Sequence, residues 1–304
     1  MRQFFSLLSR FWFMPFGFYS PALRGSRVFP HPLAPRNLRD LILNKMMFPD
    51  NILRAVVADK LATRGWVAEQ VGEEYLIPLL DVVARPQDLK KAEYPLPVVI
   101  KSNHASGQVA FVETPADYEG LDKKARKWLS KGYNLKREWV YRDIDRCLMV
   151  EEMLLDEQGR LPADIKFDCY FGEPALVVNT QTVNGTDRFG KTVKHYMTPE
   201  WERMDINPGV NSDTPLPEKP RNYAEMLEVV RKLSAPFDYI RVDLFYCRGR
   251  LYVGEVTNFD DGGGFVHSPP EKDAALLALY RKRKADRIAT LRKTYGNAGR
   301  NTGQ

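Results

Sequence analysis

The sequence has little cysteine, and its only three cysteines, Cys147, Cys169 and Cys247, are far apart and lack a C-x-x-C spacing. This argues against a zinc site and a secreted disulfide framework, and it favours a reducing cytoplasm. The chain also lacks the G-x-S-x-G nucleophile motif, so covalent catalysis by a nucleophile is disfavoured. The lysine-bearing segment 98–112 does not have the G-x-x-x-x-G-K-[ST] pattern, so it is not a Walker-type phosphate loop.

The composition is that of a globular, soluble protein with a basic surface. Hydrophobic residues make up 44% of the 304 residues, so the chain can bury a large core, and its length suggests two subdomains. The net charge of +6 would suit nucleic acid, a phosphate-rich ligand or an anionic membrane equally well. Since the basic residues are not interleaved with aromatics in a nucleic-acid-binding motif, no nucleic acid partner is expected.

Residues 1–35 form an aromatic and basic leader. Its apolar run at 11–19 is interrupted by Pro15 and Gly17 and is shorter than the roughly 20 residues of a membrane-spanning helix. Two interpretations stay open: the leader packs on the protein's own surface, or it rests on a membrane interface. The second would place a cytoplasmic protein at the inner face of the cell membrane.

The rest of the chain alternates between helical and extended patterns. Apolar spacing predicts helices within 35–72 and at 117–132, 223–234 and 272–293, the last with a basic outer face. Short apolar runs predict strands at 73–83, 96–101, 146–155, 165–171, 239–247 and 250–257. Arg248 and Gly249 suit a hairpin turn, 208–220 is a proline-rich loop, and the tail 296–304 is expected to be disordered.

The first polar feature is a lysine that ends a predicted strand. Lys101 is followed by a small, polar loop, 102–108, and then by a second strand. Small side chains allow backbone N–H groups to approach a polyphosphate, while the lysine supplies a point charge. An ordinary β-hairpin is the alternative.

The second feature is a pair of carboxylates on adjacent predicted strands. Asp243 and Glu255 could reach one magnesium ion, because Mg²⁺ prefers one or two carboxylates together with phosphate oxygens and water. Strand alternation places Arg241 on the same face as Asp243, where its guanidinium could bind phosphate. A buried salt bridge is the alternative. The glycine run 262–264 suits either a close approach to a ligand or a mobile loop.

Two further segments carry polar groups. Glu151 and Glu152 lie on one predicted strand, and Asp164 and Lys166 share a face of the next, which provides acceptors for a ribose and a charge for a phosphate. An exposed, ion-paired hairpin explains them too. The histidines at 104 and 195 could act in acid–base chemistry, although a lone histidine is more often structural.

The order of these segments is specific. A lysine strand with a small-residue loop is followed by E-E-M-L, D-I-K, R-V-D and G-E-V-T, and then by a glycine-rich turn. This order resembles the ATP-grasp superfamily, and in detail the TupA-like ATP-grasp family associated with bacterial surface polysaccharides and teichuronopeptide. The resemblance covers most of the chain and includes ADKLATRGWVAEQVGEEYLIPLL, KSNHASG, REWVYRDIDRCLMVEEML, DIKFDCYFGEP, HYMTPEW and IRVDLFYCRGRLYVGEVTNFDDGGG.

The resemblance implies an α+β fold in which ATP lies between two α+β subdomains, a small one at 96–160 and a large one at 161–295. A helical and linker region, 36–95, would precede them. The implied ATP contacts are Lys101, Ser102, His104, Ser106, Gly107, Glu151, Glu152, Met153, Leu154, Asp164 and Lys166. Arg241 and Lys166 would act in catalysis, and Asp243 and Glu255 would hold Mg²⁺.

One departure affects the third metal ligand. Many ATP-grasp enzymes have asparagine two residues after the metal-binding glutamate, whereas this chain has Thr257 there and Asn258 one place later. Successive strand side chains point in opposite directions, so Asn258 cannot replace that residue without a bulge. Thr257 or water is therefore expected to complete the Mg²⁺ shell.

The resemblance implies an ADP-forming ligase that makes an amide through an acylphosphate. It would join an amino acid or other amine to a uronic acid or similar saccharide or small-molecule carboxylate. A kinase or glycosyltransferase using the same cleft, and a membrane-peripheral scaffold with a degenerate ATP site, are the alternatives. Candidate substrate contacts are His104, Arg188, His195, Tyr196 and Trp201.

Overall fold

A computed structural model describes residues 31–130, 138–182 and 192–296. The predictions for the leader 1–30, for the tail from 297 onward and for Arg188 lie outside the described residues. Within the described ranges, no helix combines the length and the apolar character that crossing a membrane requires.

The described residues contain six α-helices and nine strands. The helices are α1 (Leu38–Met47), α2 (Leu53–Ala58), α3 (Lys60–Val71), α4 (Leu121–Ser130), α5 (Tyr223–Ser234) and α6 (Pro270–Gly296). The strands are β1 (Leu79–Val83), β2 (Val98–Ser102), β3 (Val109–Val112), β4 (Leu148–Glu152), β5 (Asp164–Tyr170), β6 (Glu173–Thr182), β7 (Thr192–Met197), β8 (Ile240–Cys247) and β9 (Arg250–Thr257). The fold is therefore α+β, as predicted.

The strands form two antiparallel sheets. The small sheet has the order β1-β4-β2-β3, and α4 covers one of its faces around the fully buried Val98, Ile100 and Val150. Strand β1 lies within the segment predicted as a helical and linker region, yet it pairs with β4 as an edge strand. The large sheet has the order β7-β6-β5-β8-β9.

Residue alternation gives the large sheet one apolar and one polar face. Ile165, Phe167 and Val242 point into a core formed with α3 and α5. On the opposite face, two rows of polar side chains run across β5, β8 and β9. The strand pairing aligns Lys166, Asp243 and Glu255 in one row and Asp168, Arg241 and Thr257 in the next.

A bulge in β9 sets this alignment. Asp243 pairs with Glu255 while Leu244 pairs with Val253, so Gly254 is the extra residue. A Cβ at Gly254 would lie 2.5 Å from Cε2 of Phe245, which explains why glycine occupies the bulge. The bulge therefore places the two carboxylates directly opposite each other, because such insertions re-aim the side chains that follow them.

An ionic network of buried cations and half-buried carboxylates joins the N-terminal helices to the large sheet. Asp238, just before β8, accepts hydrogen bonds from Lys45 of α1, from Arg54 of α2 at 2.7 Å and from Tyr280 of α6 at 2.8 Å. Arg54 is fully buried and also donates to Asp50 and to the carbonyl of Tyr239. The network fixes α2, and therefore the start of α3, against the sheet.

Asn103 joins α3 to the small sheet. Its amide nitrogen donates to the carboxylate of Asp59, the N-cap of α3, and to the carbonyl of Asp145, while its oxygen accepts from the backbone of Cys147. The backbone of Lys60 donates to the Asn103 carbonyl at 2.9 Å. The residue is fully buried. The beginning of α3 is thus held beside the loop between β2 and β3.

The sequence-based boundaries are mostly right. Helix α5 and the β8–β9 hairpin agree closely, and both residues of the Arg248-Gly249 turn have positive φ. The strand predicted at 73–83 is wrong in its first half, because a 3₁₀ turn occupies Glu73–Tyr75 and Pro78 precedes β1. The helix predicted from 117 begins only at Leu121, since Gly120 adopts a φ of 70°. Strands β6 and β7 were not predicted.

The glycine run proves to be a tight, packed turn. Residues Asp260–Gly263 form a 3₁₀ turn in which Asp261, Gly262 and Gly263 all have positive φ. A Cβ at Gly263 would lie 2.8 Å from Cδ2 of Leu43 in α1. Close packing against α1 therefore explains Gly263.

We expect Asn103→Ala to lower the free energy of unfolding by about 3 kcal/mol, because three buried hydrogen bonds lose their partner. Urea denaturation would measure the change. The exposed loop variant Gln158→Ala is the control and should change stability by less than about 0.5 kcal/mol. Equal stability of the two variants would show that Asn103 does not hold α3 to the sheet.

Candidate active site

Two adjoining cavities lie over the polar face of the large sheet. The first, the inter-sheet cleft, has a volume of about 450 Å³ and is bounded by residues from both sheets. The other cavity, which we call the second pocket, has a volume of about 400 Å³ and lies over the Asp168–Arg241–Thr257 row. Both are lined by Ser106, Lys166, Thr180 and Glu255, so a ligand in one can meet a ligand in the other.

The small sheet contributes a charged pair to the cleft. Lys101 of β2 forms a 2.6 Å ion pair with Glu151 of β4, and Arg64 of α3 contacts the same carboxylate at 3.2 Å. Ser106 and Gly107 follow in the loop and line the cleft, with Gly107 at a φ of 71°. The structure therefore brings the predicted lysine and small-residue loop together.

Two residues predicted to contact the nucleotide point elsewhere. The hydroxyl of Ser102 donates to Gln108 at 2.7 Å and is fully buried within the loop, because even-numbered residues of β2 face the core of the small sheet. His104 is 1% exposed and lines neither cavity. Both side chains are buried inside the protein instead of facing a cavity.

The E-E-M-L segment borders the apolar end of the cleft. Met153 and Leu154 line it together with the apolar side chains of Ile77, Val99, Leu161 and Phe245. The amides of Glu152 and Met153 already donate to the carbonyls of Pro78 and Pro97. Recognition of a base by this backbone would therefore use the remaining polar groups of the segment. The side chain of Glu151, by contrast, belongs to the charged pair with Lys101.

The floor of the cleft is the row of Lys166, Asp243 and Glu255. Lys166 donates to Asp164 and, at 2.8 Å, to Asp243. Burial would lower the pKa of Lys166, but Asp243 and Asp164 outweigh it and raise the pKa. Burial, with a contribution from Asp243, raises the pKa of Asp164, and the Oδ1 of Asp164 has no hydrogen-bond donor among the residues that the structure describes.

Arg241 connects the two rows. Its guanidinium binds Asp243 through two bonds of 2.7 and 2.9 Å, and it also donates to Asp260 and, at 3.3 Å, to Thr257. Burial would raise the pKa of Asp243, but Arg241 and Lys166 outweigh it and lower the pKa. Asp243 is therefore a carboxylate, although only 3% of it is exposed.

Glu255 has a partner that the sequence analysis did not identify. Lys60, the first residue of α3, forms a 3.1 Å ion pair with Glu255 and donates to the carbonyl of Ala105 in the β2–β3 loop. Burial would raise the pKa of Glu255, but Lys60 lowers it. Lys60 thus links the N-terminal helices, the loop and the carboxylate pair.

The structure distinguishes the two candidates for the third ligand position. Thr257 shares the polar face with Glu255 and lines the second pocket. Asn258 points the other way, is 4% exposed and donates to the carbonyl of Arg54 at 2.7 Å. The bulge at Gly254 precedes Glu255, so it does not turn Asn258 toward the carboxylates.

The second pocket contains one of the predicted substrate contacts. Tyr196 lines it, and so does Lys194, whereas His195 between them points away and is buried. Trp201 lies in the apolar core of the large sheet and donates its indole N–H to the carbonyl of Pro217. Aromatic walls come from Tyr141, Phe259 and Phe265.

Several site residues were missed. Lys60 and Arg64 belong to a helix before the sheets, and no local pattern indicates that α3 reaches the cleft. Asp168 could have been found, because it continues the alternation of Asp164 and Lys166 on one strand face. The sequence analysis assigned no role to Asp260, which stands just before the glycine run 262–264.

Comparison with protein families decides the identity of the fold. The family described as TupA-like ATPgrasp matches residues 38–280, which is most of the chain. The chain belongs to the TupA-like ATP-grasp family. Its fold is accordingly the ATP-grasp fold, and the two sheets with the cleft between them are its two α+β parts.

Solved structures give remote likenesses only. D-alanine–D-alanine ligase from Bacillus anthracis shares 14% identity, with 75% of this chain and 70% of that chain covered and a TM-score of 0.42. An L-amino acid ligase from Bacillus licheniformis shares 16%, with 68% and 42% covered and a TM-score of 0.41. N5-carboxyaminoimidazole ribonucleotide synthetase from Thermus thermophilus shares 13%, with 69% and 48% covered and a TM-score of 0.39. A search of the curated proteins finds no match.

Asp168 gives the fold a measurable pH dependence. Burial, reinforced by the nearby Asp260, raises its pKa from the ordinary 3.8 to about 7. The folded protein therefore binds this proton more tightly than the unfolded chain, so ionisation of Asp168 lowers stability as pH rises from about 4 to about 7.

We expect Asp168→Asn to raise the melting temperature, by little near pH 4 and by a growing amount up to about pH 7, where the gain levels off. Differential scanning calorimetry at several pH values would measure this. Asp205→Asn, at a side chain that is 90% exposed, is the control and should show no such trend. A gain that shrinks with pH would contradict the raised pKa.

Proposed function

We propose that this protein is an ATP- and Mg²⁺-dependent ligase that joins a carboxylate to an amine and releases ADP and phosphate. The observation that carries the proposal is the clustering of four cations around the two adjoining cavities: Lys60, Lys101 and Lys166 line the inter-sheet cleft, and Arg241 lines the second pocket. Each cation forms an ion pair with a carboxylate that lines the inter-sheet cleft. Such paired charges can be exchanged for the phosphates of a nucleotide and its metal ion.

The inter-sheet cleft has the polarity of an ATP site from end to end. Its apolar part, beside Met153 and Leu154, suits an adenine ring. Asp164 also lines the cleft, and its Oδ1, which has no donor within the described part of the chain, can accept a bond from a ribose hydroxyl. Beyond it Lys101 and Lys166 face the space where phosphates would extend, with the β2–β3 loop above them.

The carboxylate pair fits Mg²⁺ when a nucleotide supplies the other ligands. Among the described residues, no group of three or more His, Cys, Asp or Glu side chains is arranged to hold a metal ion alone. Asp243 and Glu255 offer carboxylate oxygens opposite each other, and Thr257 adds a hydroxyl on the same face. Mg²⁺ commonly takes one or two carboxylates plus phosphate oxygens and water. Bound there, it would neutralise charge on the phosphates.

The protein's own groups would then position and stabilise the reacting atoms. A substrate carboxylate in the second pocket attacks the γ-phosphoryl group of ATP, the bond from that phosphorus to the bridging oxygen of the β-phosphate breaks, and ADP leaves with an acylphosphate formed. Lys166 lines both cavities, and Arg241 lines the second pocket and is paired with Asp243 of the cleft, so both can stabilise negative charge on the transferred phosphoryl group. An amine then attacks the acyl carbon, and phosphate leaves. The β2–β3 loop lines the cleft, where its cover would limit hydrolysis of the acylphosphate by water.

The substrate class rests on the family and on the shape of the second pocket. The association of the family with bacterial surface polysaccharides favours a uronic acid or similar carboxylate and an amino acid or other amine. The pocket supports this because Lys194 and Arg241 can receive a carboxylate, while Tyr141 and Tyr196 provide surfaces for a sugar ring. Bacterial cell-surface polysaccharide synthesis on the cytoplasmic side of the membrane is the proposed setting.

A panel assay tests the substrate class. Uronic acids and amino acids would be offered in pairs with ATP and Mg²⁺, and ADP release would be measured. A ligase requires both partners for release of ADP and forms an amide. ADP release with a sugar alone, accompanied by a phosphorylated product, would instead indicate a kinase.

Asp243→Asn should lower turnover at least about a hundredfold while leaving the fold intact, because the amide keeps the shape of the side chain but loses the charge that holds Mg²⁺. ADP release measures turnover, and circular dichroism checks the fold. Full activity of Asp243→Asn would refute the metal assignment, and the exposed variant Asp205→Asn should behave as the wild type.

Lys60→Met should weaken the binding of MgATP by about ten- to a hundredfold, because a charge at the cleft is lost while most of the length of the side chain is kept. Isothermal titration calorimetry would measure the dissociation constant. Lys282→Met, at an exposed lysine on α6, is the control. If both variants bind MgATP equally well, Lys60 serves only to hold α3 against the sheet.

A further inference from the structure

The second pocket has an acidic end that the proposed ATP chemistry does not use. Asp168 lies on β5 two residues beyond Lys166, on the same face, and pairs across the sheet with Arg241. Asp260 approaches the same end from the turn after β9 and is bound by Arg241. Both carboxylates line the pocket.

The surroundings of Asp168 are unusual for a carboxylate. It is 7% exposed, and one oxygen accepts a 3.2 Å hydrogen bond from the hydroxyl of Tyr239. Within the described ranges, no lysine or arginine forms an ion pair with it. The neighbouring cation, Arg241, is already committed to Asp243 and Asp260.

Such a carboxylate is costly to the free protein. Buried carboxylates are normally paired, because removal from water disfavours the charge. The fold could avoid this cost with asparagine, which would still accept the bond from Tyr239. Charge at Asp168 is therefore better explained by a ligand than by the packing, and the missing partner is a cation.

The position of Asp168 indicates which cation. Arg241 lies between Asp243, at the proposed phosphoryl-transfer point, and Asp260, at the acidic end. A group held by Asp168 and Asp260 therefore lies beside the guanidinium that would face the acyl group. The nucleophile of an amide-forming ligase must reach that place, and free amines are ammonium ions at neutral pH.

We propose that Asp168 and Asp260 bind the ammonium group of the amine substrate, and that Asp168 accepts a proton from it. This inference rests on the proposed ligase function and names the amine subsite that such a ligase needs. An ammonium has three N–H donors and no lone pair, so two carboxylates can hold it but it cannot attack.

The proposed step accounts for every proton and electron pair that moves. One proton passes from the ammonium nitrogen to the Asp168 carboxylate, which frees a lone pair on nitrogen. The nitrogen forms a bond to the acyl carbon, the bond from that carbon to the phosphate oxygen breaks, and phosphate leaves with that electron pair. A second proton moves from nitrogen to the departing phosphate. The raised pKa of Asp168, about 7, suits a group that takes and returns a proton near neutral pH.

The test separates activation of the carboxylate from capture of the amine. Wild type, Asp168→Asn and the exposed control Asp205→Asn would receive ATP, Mg²⁺ and D-glucuronate, with either glycine or hydroxylamine. Hydroxylamine is uncharged at neutral pH and traps an acylphosphate as a hydroxamate without an ammonium site. Asp168→Asn should raise KM for glycine about ten- to a hundredfold and lower kcat, but change hydroxamate formation less than about threefold.

Three results are decisive. Equal loss of both products in Asp168→Asn would overturn the inference, because Asp168 would then serve carboxylate activation or the fold. Unchanged use of glycine would overturn it as well. In the wild type the rate with glycine should rise with pH as Asp168 ionises. If Asp168→Asn loses this rise with glycine but keeps the wild-type pH profile with hydroxylamine, the result would support proton transfer over a merely structural role.

If the wild type forms no product with any carboxylate, the proposed ligase function itself fails. A binding measurement then tests the ammonium subsite separately. Glycinamide would be titrated by calorimetry into wild type and Asp168→Asn, each with Mg²⁺ and a non-hydrolysable ATP analogue. Binding to the wild type that weakens at least about tenfold in the variant supports the ammonium subsite. Equal binding, or none to the wild type, refutes it.

Discussion

The two-bond ion pair between Arg241 and Asp243 is the interaction on which the rest of the site depends. Both side chains leave the same face of β8, the strand between β5 and β9, so each is within reach of groups on either neighbour. Lys166 of β5 forms a further ion pair with Asp243, and Asp260 forms a further ion pair with the guanidinium of Arg241. Because a buried charge without a partner is strongly unfavourable, these groups order one another and keep the cleft floor polar.

This arrangement also explains how the free protein tolerates so many charges. The cations that would hold phosphate are neutralised by carboxylates, two of which would hold the metal ion. A nucleotide arriving without Mg²⁺ would have to displace those carboxylates while leaving them unpaired, and the converse holds for Mg²⁺ alone. Joint binding of the two exchanges one satisfied set of charges for another, which favours MgATP as the ligand that the cleft takes.

Local sequence patterns predicted the floor of the site well. Alternation placed Asp164 with Lys166 and Arg241 with Asp243, and the short Arg248-Gly249 turn made β8 and β9 neighbours, whereas the unpredicted bulge at Gly254 sets Asp243 opposite Glu255. The same reasoning failed where long-range packing decides the outcome. Ser102 follows Lys101 directly, yet it points into the loop because the register of β2 is set by the core of the small sheet.

Lys60 shows the limit most clearly, since no spacing rule connects a helix at the start of the chain to a carboxylate on β9. Its position depends on Asn103 and on the network around Asp238, which join three distant segments. The family assignment agrees with the order of motifs in the sequence, and the geometry adds Lys60 and Asp168 to the residues that the motifs identify.

The central claim is that a carboxylate oxygen attacks the γ-phosphoryl group of ATP in this cleft. Transfer of heavy oxygen tests it most directly: the substrate carboxylate is labelled, and the phosphate released with the amide product is analysed by mass spectrometry. The account predicts that each turnover moves one labelled oxygen from the carboxylate to phosphate. Amide formation with unlabelled phosphate would contradict it.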